Sequence, residues 1–142
     1  MSDLTTKIHK RKDGVKSYEI KIDGNFYDVV GIKNKRIISF YKERGREGGY
    51  IFPPSYKMTK GTQLRELSSI VNDYRTFDYK TVTDFIMDIC KEIKYINFNA
   101  VLRMALKDAR SYLQRNIDNL DQRVSHLEKE KRSARRKLQK LN

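Results

Sequence analysis

The sequence predicts an α+β protein: a small N-terminal antiparallel β-meander of three or four strands, two amphipathic helices, and a long C-terminal helix with coiled-coil heptads. Three observations lead to that class. Apolar and polar residues alternate singly in the N-terminal third, the period of half-buried strands. Past Pro53-Pro54 the period lengthens to that of helices. From Ala100 to Leu141 there is neither Gly nor Pro, so nothing local stops the last helix. At ~1.5 Å of rise per residue that helix would span on the order of 60 Å.

The elements follow in order. Lys7, Lys10, Arg11, Lys12 and Lys16, with His9 among them, read as a basic arm before the first strand. In Ser17-Tyr18-Glu19-Ile20-Lys21-Ile22, Tyr18, Ile20 and Ile22 alternate with polar residues. Asp23-Gly24 is a two-residue hairpin signal, because Gly tolerates positive φ, and the return strand is expected from Asn25 to Ile32. A third run, Arg36 to Lys42, is β-branched and aromatic. The Gly-rich turn Gly45 to Gly49 leads into Tyr50-Ile51-Phe52, and the two prolines close the segment because neither can donate to a ladder.

In the first helix Leu64, Leu67, Val71 and Tyr74 share a face, with Thr62 as the expected N-cap. The second is expected to start near Thr81, with Asp84 completing a capping box, and its stripe is Val82, Phe85, Ile86, Ile89 and Ile93. Asn97 or Asn99 caps the third, beginning around Ala100. Cys90 lies in an apolar run and reads as a small buried hydrophobe. A lone cysteine offers neither an internal disulfide nor a thiol cluster for zinc.

Composition divides the chain into a globular part, residues 1–100, and a helical part, residues 101–142. Hydrophobic residues are 38% and charged residues 35%, too polar for one thick core of this length. The formal charge is +13. It is uneven: 14 basic against 7 acidic residues over 1–60, 5 against 6 over 61–100, and 12 against 5 over 101–142. Two basic ends flank a nearly neutral, apolar middle, which is the expected core.

The C-terminal helix carries heptads. Leu106, Leu113, Leu120 and Leu127 recur every seventh residue as d positions, and Leu141 continues the register after Ala134. Arg110, Ile117, Val124, Lys131 and Leu138 are the a positions. β-branched a residues with leucine at d suit a parallel two-stranded coil. The seam spans about 106–127 but is unbroken only from Leu113 to Leu127. Its expected oligomerisation residues are Leu113, Ile117, Leu120, Val124 and Leu127. Three readings compete: two copies pair as a homodimer; the helix folds back through Val101, Leu102, Ala105 and Ala109; or it docks on another, acidic protein. A basic tail, residues 129–142, follows, in which Lys129, Lys131, Arg132, Arg135, Arg136, Lys137 and Lys140 face only Glu130.

A positive field of this size attracts polyanions, and nucleic acid is the expected partner. The residues expected to meet phosphate are Lys10, Arg11, Lys12, Lys35, Arg36, Arg44, Arg46, Arg132, Arg135, Arg136 and Lys137. Aromatics interleave with the basic loops, and Tyr27 and Tyr41 are the rings expected to be exposed for base stacking. Gly45-Arg46-Glu47-Gly48 has the G-x-x-G spacing of a backbone-gripping loop, but strand-like sequence flanks it. No clear helix-turn-helix unit is visible, which favours RNA over DNA. The expected function is non-enzymatic regulation of transcription or RNA metabolism. The alternative is a phage-type interaction module whose long helix docks on an acidic surface of a host machine.

Catalytic signals are weak. His9 and His126 sit in a basic arm and on an exposed helix position, and Asp84 and Asp88 gather no third ligand at useful spacing. Phosphate loops, nucleophile elbows and dinucleotide fingerprints are missing. No metal and no cofactor is expected. No run approaches the ~18 apolar residues of a membrane span. The start Met1-Ser2-Asp3-Leu4 is unlike a secretory signal, so a cytoplasmic setting is expected, in a bacterium or a phage-infected cell.

Overall fold

The computed structural model describes residues 3–141. Met1, Ser2 and the last residue of the basic tail, Asn142, lie outside the described residues. The order is β1 (Leu4–Lys10), β2 (Lys16–Ile22), β3 (Phe26–Lys33), β4 (Arg36–Arg44), β5 (Glu47–Phe52), α1 (Lys60–Tyr74), α2 (Tyr79–Ile93) and α3 (Phe98–Gln139). The five strands form one antiparallel sheet in sequence order, so the α+β class holds. The chain divides into two compact units, Met1–Leu106 and Lys107–Asn142.

The strand count exceeds the expected three or four because the N-terminal arm is itself a strand. Leu4 pairs with Ile22 and Lys10 with Lys16, and most of β1 is exposed at the sheet edge. Its Thr and Ile residues support extended backbone, and its lysines blunt an edge that could otherwise pair with another chain. The β2–β3 connection also differs from a two-residue hairpin. Ile22 pairs with Phe26, so Asp23, Gly24 and Asn25 form a three-residue loop, with Gly24 at φ +82°.

The β3–β4 turn is Asn34-Lys35, closed by the Lys33–Arg36 pair. Both residues have positive φ, 52° and 61°, as a type I′ turn requires. Asparagine tolerates this region and lysine does not. Lys35→Gly is therefore expected to raise stability by about 0.5–1 kcal/mol, read as a higher midpoint in urea.

The core lies between one face of the sheet and the helices. Tyr18, Ile20, Ile22, Val30, Ile32, Ile37 and Phe40 pack with Leu67, Val71 and Tyr74 of α1 and with Val82, Phe85, Ile86, Ile89 and Ile93 of α2. The apolar middle thus supplies the helical half of the core, and the sheet supplies the rest. Tyr95 ties the layers: its hydroxyl accepts from the Ile37 N–H at 3.0 Å and donates to Gln63 Oε1 at 2.6 Å. Val101 and Ala105 at the start of α3 are buried with them, and Leu102 packs alongside. Ser68 Oγ donates to the Val101 carbonyl and Asn72 Nδ2 to the Ala105 carbonyl. Three of the four residues expected to fold back, Val101, Leu102 and Ala105, do so, which extends the first unit through Leu106, while Ala109 falls in the second unit.

Two helix starts are corrected. Thr59, not Thr62, caps α1, its hydroxyl accepting the Thr62 N–H at 3.1 Å. Asp78, not Thr81, caps α2, accepting both the Thr81 N–H and the Thr81 hydroxyl. Those bonds hold the Asp78 carboxyl below its ordinary pKa. Asp84 serves no cap and pairs with Lys80 at 3.0 Å. Asn97 caps α3, accepting the Ala100 N–H at 3.2 Å.

Candidate nucleic-acid interface

An antiparallel meander sends alternate turns to opposite ends of its sheet. The β1–β2 and β3–β4 connections therefore share one end, which gathers Lys10, Arg11 and Lys12 with Lys33, Lys35 and Arg36. The two connections are close: a Cβ on Gly14 would stand 3.9 Å from Lys33 Cε. Arg11 pairs with Asp13 at 3.1 Å, and Lys16 pairs with Glu92 at 3.2 Å. Among the described residues, Lys10, Lys12, Lys33, Lys35 and Arg36 are exposed and in no ion pair. Five like charges around one rim form a standing positive potential suited to a polyanion.

Arg44 and Arg46 fall at the opposite end, and Arg44 is corrected from a free cation to a structural one. Its Nη2 reaches Asp28 Oδ2 at 3.0 Å and Asp73 Oδ2 at 2.8 Å, and the guanidinium lies over the Phe26 ring at 4.9 Å. Asp28 is 1% exposed and also accepts from the Tyr74 hydroxyl at 2.7 Å. Burial raises the Asp28 carboxyl above its ordinary pKa, against the opposing pull of Tyr74, Arg44 and Lys42.

Arg46 is exposed in the two-residue turn Gly45-Arg46, with Gly45 at φ +68°. The second glycine of the G-x-x-G run has a local cause. A Cβ on Gly48 would crowd the Glu43 and Tyr41 side chains, which would have to shift to admit one.

The sheet face turned away from the core is covered by no helix of the first unit. The register runs Lys7, Glu19, Val29, Tyr41 and Tyr50 across it in one row, and Thr5, Lys21, Tyr27, Glu43 and Gly48 in the next. Tyr27 and Tyr41, expected to be exposed, are half-buried there. Tyr50 is the most open of the three at 50%. The rings meet edge-to-face, with centroids 6.3 Å apart for Tyr27–Tyr41 and 5.3 Å for Tyr41–Tyr50. They line a shallow groove of about 280 Å³ with Glu19, Glu43, Ser17 and Ser39.

The Tyr27 hydroxyl donates to Glu19 and the Tyr41 hydroxyl to Glu43. Burial and the Glu19 bond raise the Tyr27 pKa, and the Glu43 bond raises that of Tyr41, so both stay protonated donors. The hydroxyls are thereby committed, and the ring surfaces are what the face offers.

The second unit is the rest of α3, and there the expected seam stands unpartnered. Leu113, Ile117, Leu120, Val124 and Leu127 are 50–60% exposed. The tail that follows is helical to Gln139. Arg132, Arg135, Arg136 and Lys137 are exposed, as are Lys129, Lys131 and Lys140, and among the described residues none is in an ion pair. Glu130 is engaged by His126 at 3.1 Å.

Cys90 is buried, which pushes its thiol up to about 11. No group of three His, Cys, Asp or Glu side chains able to hold a metal occurs among the described residues. No described helix is long and apolar enough to cross a membrane. Comparison with protein-family models, with curated proteins and with solved structures returns no match.

Proposed function

We propose that this chain is a non-enzymatic nucleic-acid-binding protein, with single-stranded RNA favoured over DNA, acting as a regulator of transcription or RNA metabolism. The observation that carries the reading is the rim at one end of the sheet. Lys10, Lys12, Lys33, Lys35 and Arg36 converge there from two connections and, among the described residues, are in no ion pair. Phosphates neutralise such a rim and release condensed counterions. The tyrosine face favours a single strand over a duplex, since stacking on an aromatic ring is worth about 1–3 kcal/mol per base and needs unpaired bases; RNA is preferred because its recognised segments are mostly single-stranded. Glu19 and Glu43 keep phosphate out of the centre of that face, which leaves the backbone to follow the rim. A cytoplasmic setting, in a bacterium or a phage-infected cell, belongs to the same reading.

The test is fluorescence anisotropy with a labelled single-stranded RNA across a salt series. About five phosphate contacts at the rim alone predict an affinity loss of at least about 100-fold between roughly 50 and 200 mM salt, and each tail cation that also engages phosphate steepens it. Lys10→Glu together with Arg36→Glu should weaken binding by at least about tenfold and flatten the salt slope. An affinity indifferent to salt, or to this double change, would refute the reading.

A second reading, a module whose long helix docks on the acidic surface of another protein, draws on the exposed basic tail from Lys129 to Lys140. Binding to such a surface would show no requirement for nucleic acid.

A further inference from the structure

The seam of α3 is self-complementary in one arrangement. Seen along the helix, the a and d positions from Leu113 to Leu127 are apolar, and the outward positions are polar or charged, among them Arg115, Asp118, Gln122 and His126. The five seam residues are at least half exposed, and an isolated helix gains nothing from such a stripe until another surface covers it. We propose that the partner is a second copy of this chain, paired parallel and in register over Leu113–Leu127.

Charge selects that occupant and that orientation. In a parallel pair each g position meets the e position five residues later on the other helix. Arg123 then meets Glu128 of the second copy, and Glu130 meets Arg135 of the second copy. Symmetry doubles both contacts. The preceding pair, Asn116 with Asp121, is polar, and no like charges meet across the seam. In the single chain Arg123, Glu128 and Arg135 are in no ion pair among the described residues, so these groups are available, and Glu130, paired with the exposed His126, would be shared with Arg135 of the second copy. A uniformly basic flank would suit an acidic foreign surface; this flank alternates in sign and matches itself.

Antiparallel pairing fits less well. One register sets Ile117 on Leu127 and Val124 on Leu120, but brings Arg123 against its own copy and Asp121 against its own copy, and places Lys131 on Leu113. The other sets Ile117 on Leu120 and buries Arg110 against Leu127. Parallel pairing stacks five apolar layers with no charged residue among them. Arg110 and Lys131 bound those layers at either end, and beyond Lys131 the two basic tails lie side by side. The pairing does not depend on the nucleic-acid reading.

The test uses the full chain. Sedimentation should show a reversible dimer at micromolar concentrations. Arg123→Glu with Arg135→Glu makes all four ion-pairing positions acidic, and Glu128→Lys with Glu130→Lys makes all four basic. Each variant alone should raise the dimer dissociation constant at least tenfold, and an equimolar mixture should restore a 1:1 dimer. These four positions are exposed and outside the core, so circular dichroism should remain that of the parent. For orientation, Leu113→Cys should form a disulfide-linked dimer on mild oxidation, since parallel register sets the two substituted positions together. A monomeric parent, charge variants that still self-associate, or a dimer that Leu113→Cys cannot cross-link would each overturn the proposal.

Discussion

Arg44→Ala is expected to destabilise the protein by about 2–4 kcal/mol, because it strands a buried carboxylate. Asp28 sits at 1% exposure on the core face of β3, and Arg44 is its cationic partner at 3.0 Å. With the guanidinium gone, the Tyr74 hydroxyl is the one hydrogen-bond donor left to the Asp28 carboxylate among the described residues. Lys42, nearby and mostly buried, offsets part of the loss, as does the partial exposure of Arg44 itself. The same substitution in an Asp28→Asn background should cost under about 1 kcal/mol, since no charge is then left unpaired. A double-mutant cycle in urea measures the difference, and equal costs in both backgrounds would contradict this account.

The network also sets a pH dependence. The folded pKa of Asp28 is raised, with burial as the leading cause. A carboxyl whose folded pKa lies above its unfolded value costs stability once ionised. That cost is present above the raised pKa and disappears as pH falls through it. Removing Arg44 takes away one of the causes that lower this pKa, so the pKa rises further. The penalty of Arg44→Ala should therefore be largest at neutral pH and shrink on acidification. Urea midpoints for both proteins between about pH 5 and pH 8 check the sign.

The same residues show what a sequence makes legible. The α2 stripe, Val82 to Ile93, is readable because each apolar residue falls on one face, and all five are buried. β1 was masked by its charges. Leu4, Thr6 and Ile8 do alternate, but Lys7, His9 and Lys10 made the stretch look like a solvated arm, which is how an edge strand protects itself. The turn after β2 carries an asparagine that lengthens it from two residues to three, a choice settled by register. Arg44 could not be separated from free cations, since its partners lie 16 and 29 residues away in sequence. A usable signal existed in Asp28 itself, which falls in phase with Phe26, Val30 and Ile32 on the core side of β3. A carboxylate in that phase demands a buried partner. The rim, similarly, needed the strand order before Lys10 and Arg36 could be placed at one end.

Truncation after Glu128 should separate the two halves of the C-terminal helix. It removes Lys129, Lys131, Arg132, Arg135, Arg136, Lys137 and Lys140, each exposed and unpaired among the described residues, and it leaves Leu113–Leu127 intact. Single-strand binding should weaken on the order of 100-fold or more at about 0.1 M salt, if roughly half of these cations engage phosphate. The slope of log affinity against log salt should fall by about 0.7 for each engaged cation lost. Self-association should weaken less, because Glu130 and Arg135 leave with the tail while the apolar layers and the Arg123–Glu128 contacts remain. The first unit should keep its stability, since none of the removed residues contributes to its core. If RNA affinity survives truncation unchanged, the tail is a solubilising end, and the rim alone must account for binding. If self-association collapses as completely as RNA binding, the tail and seam act as one surface and the division at Lys129 is wrong.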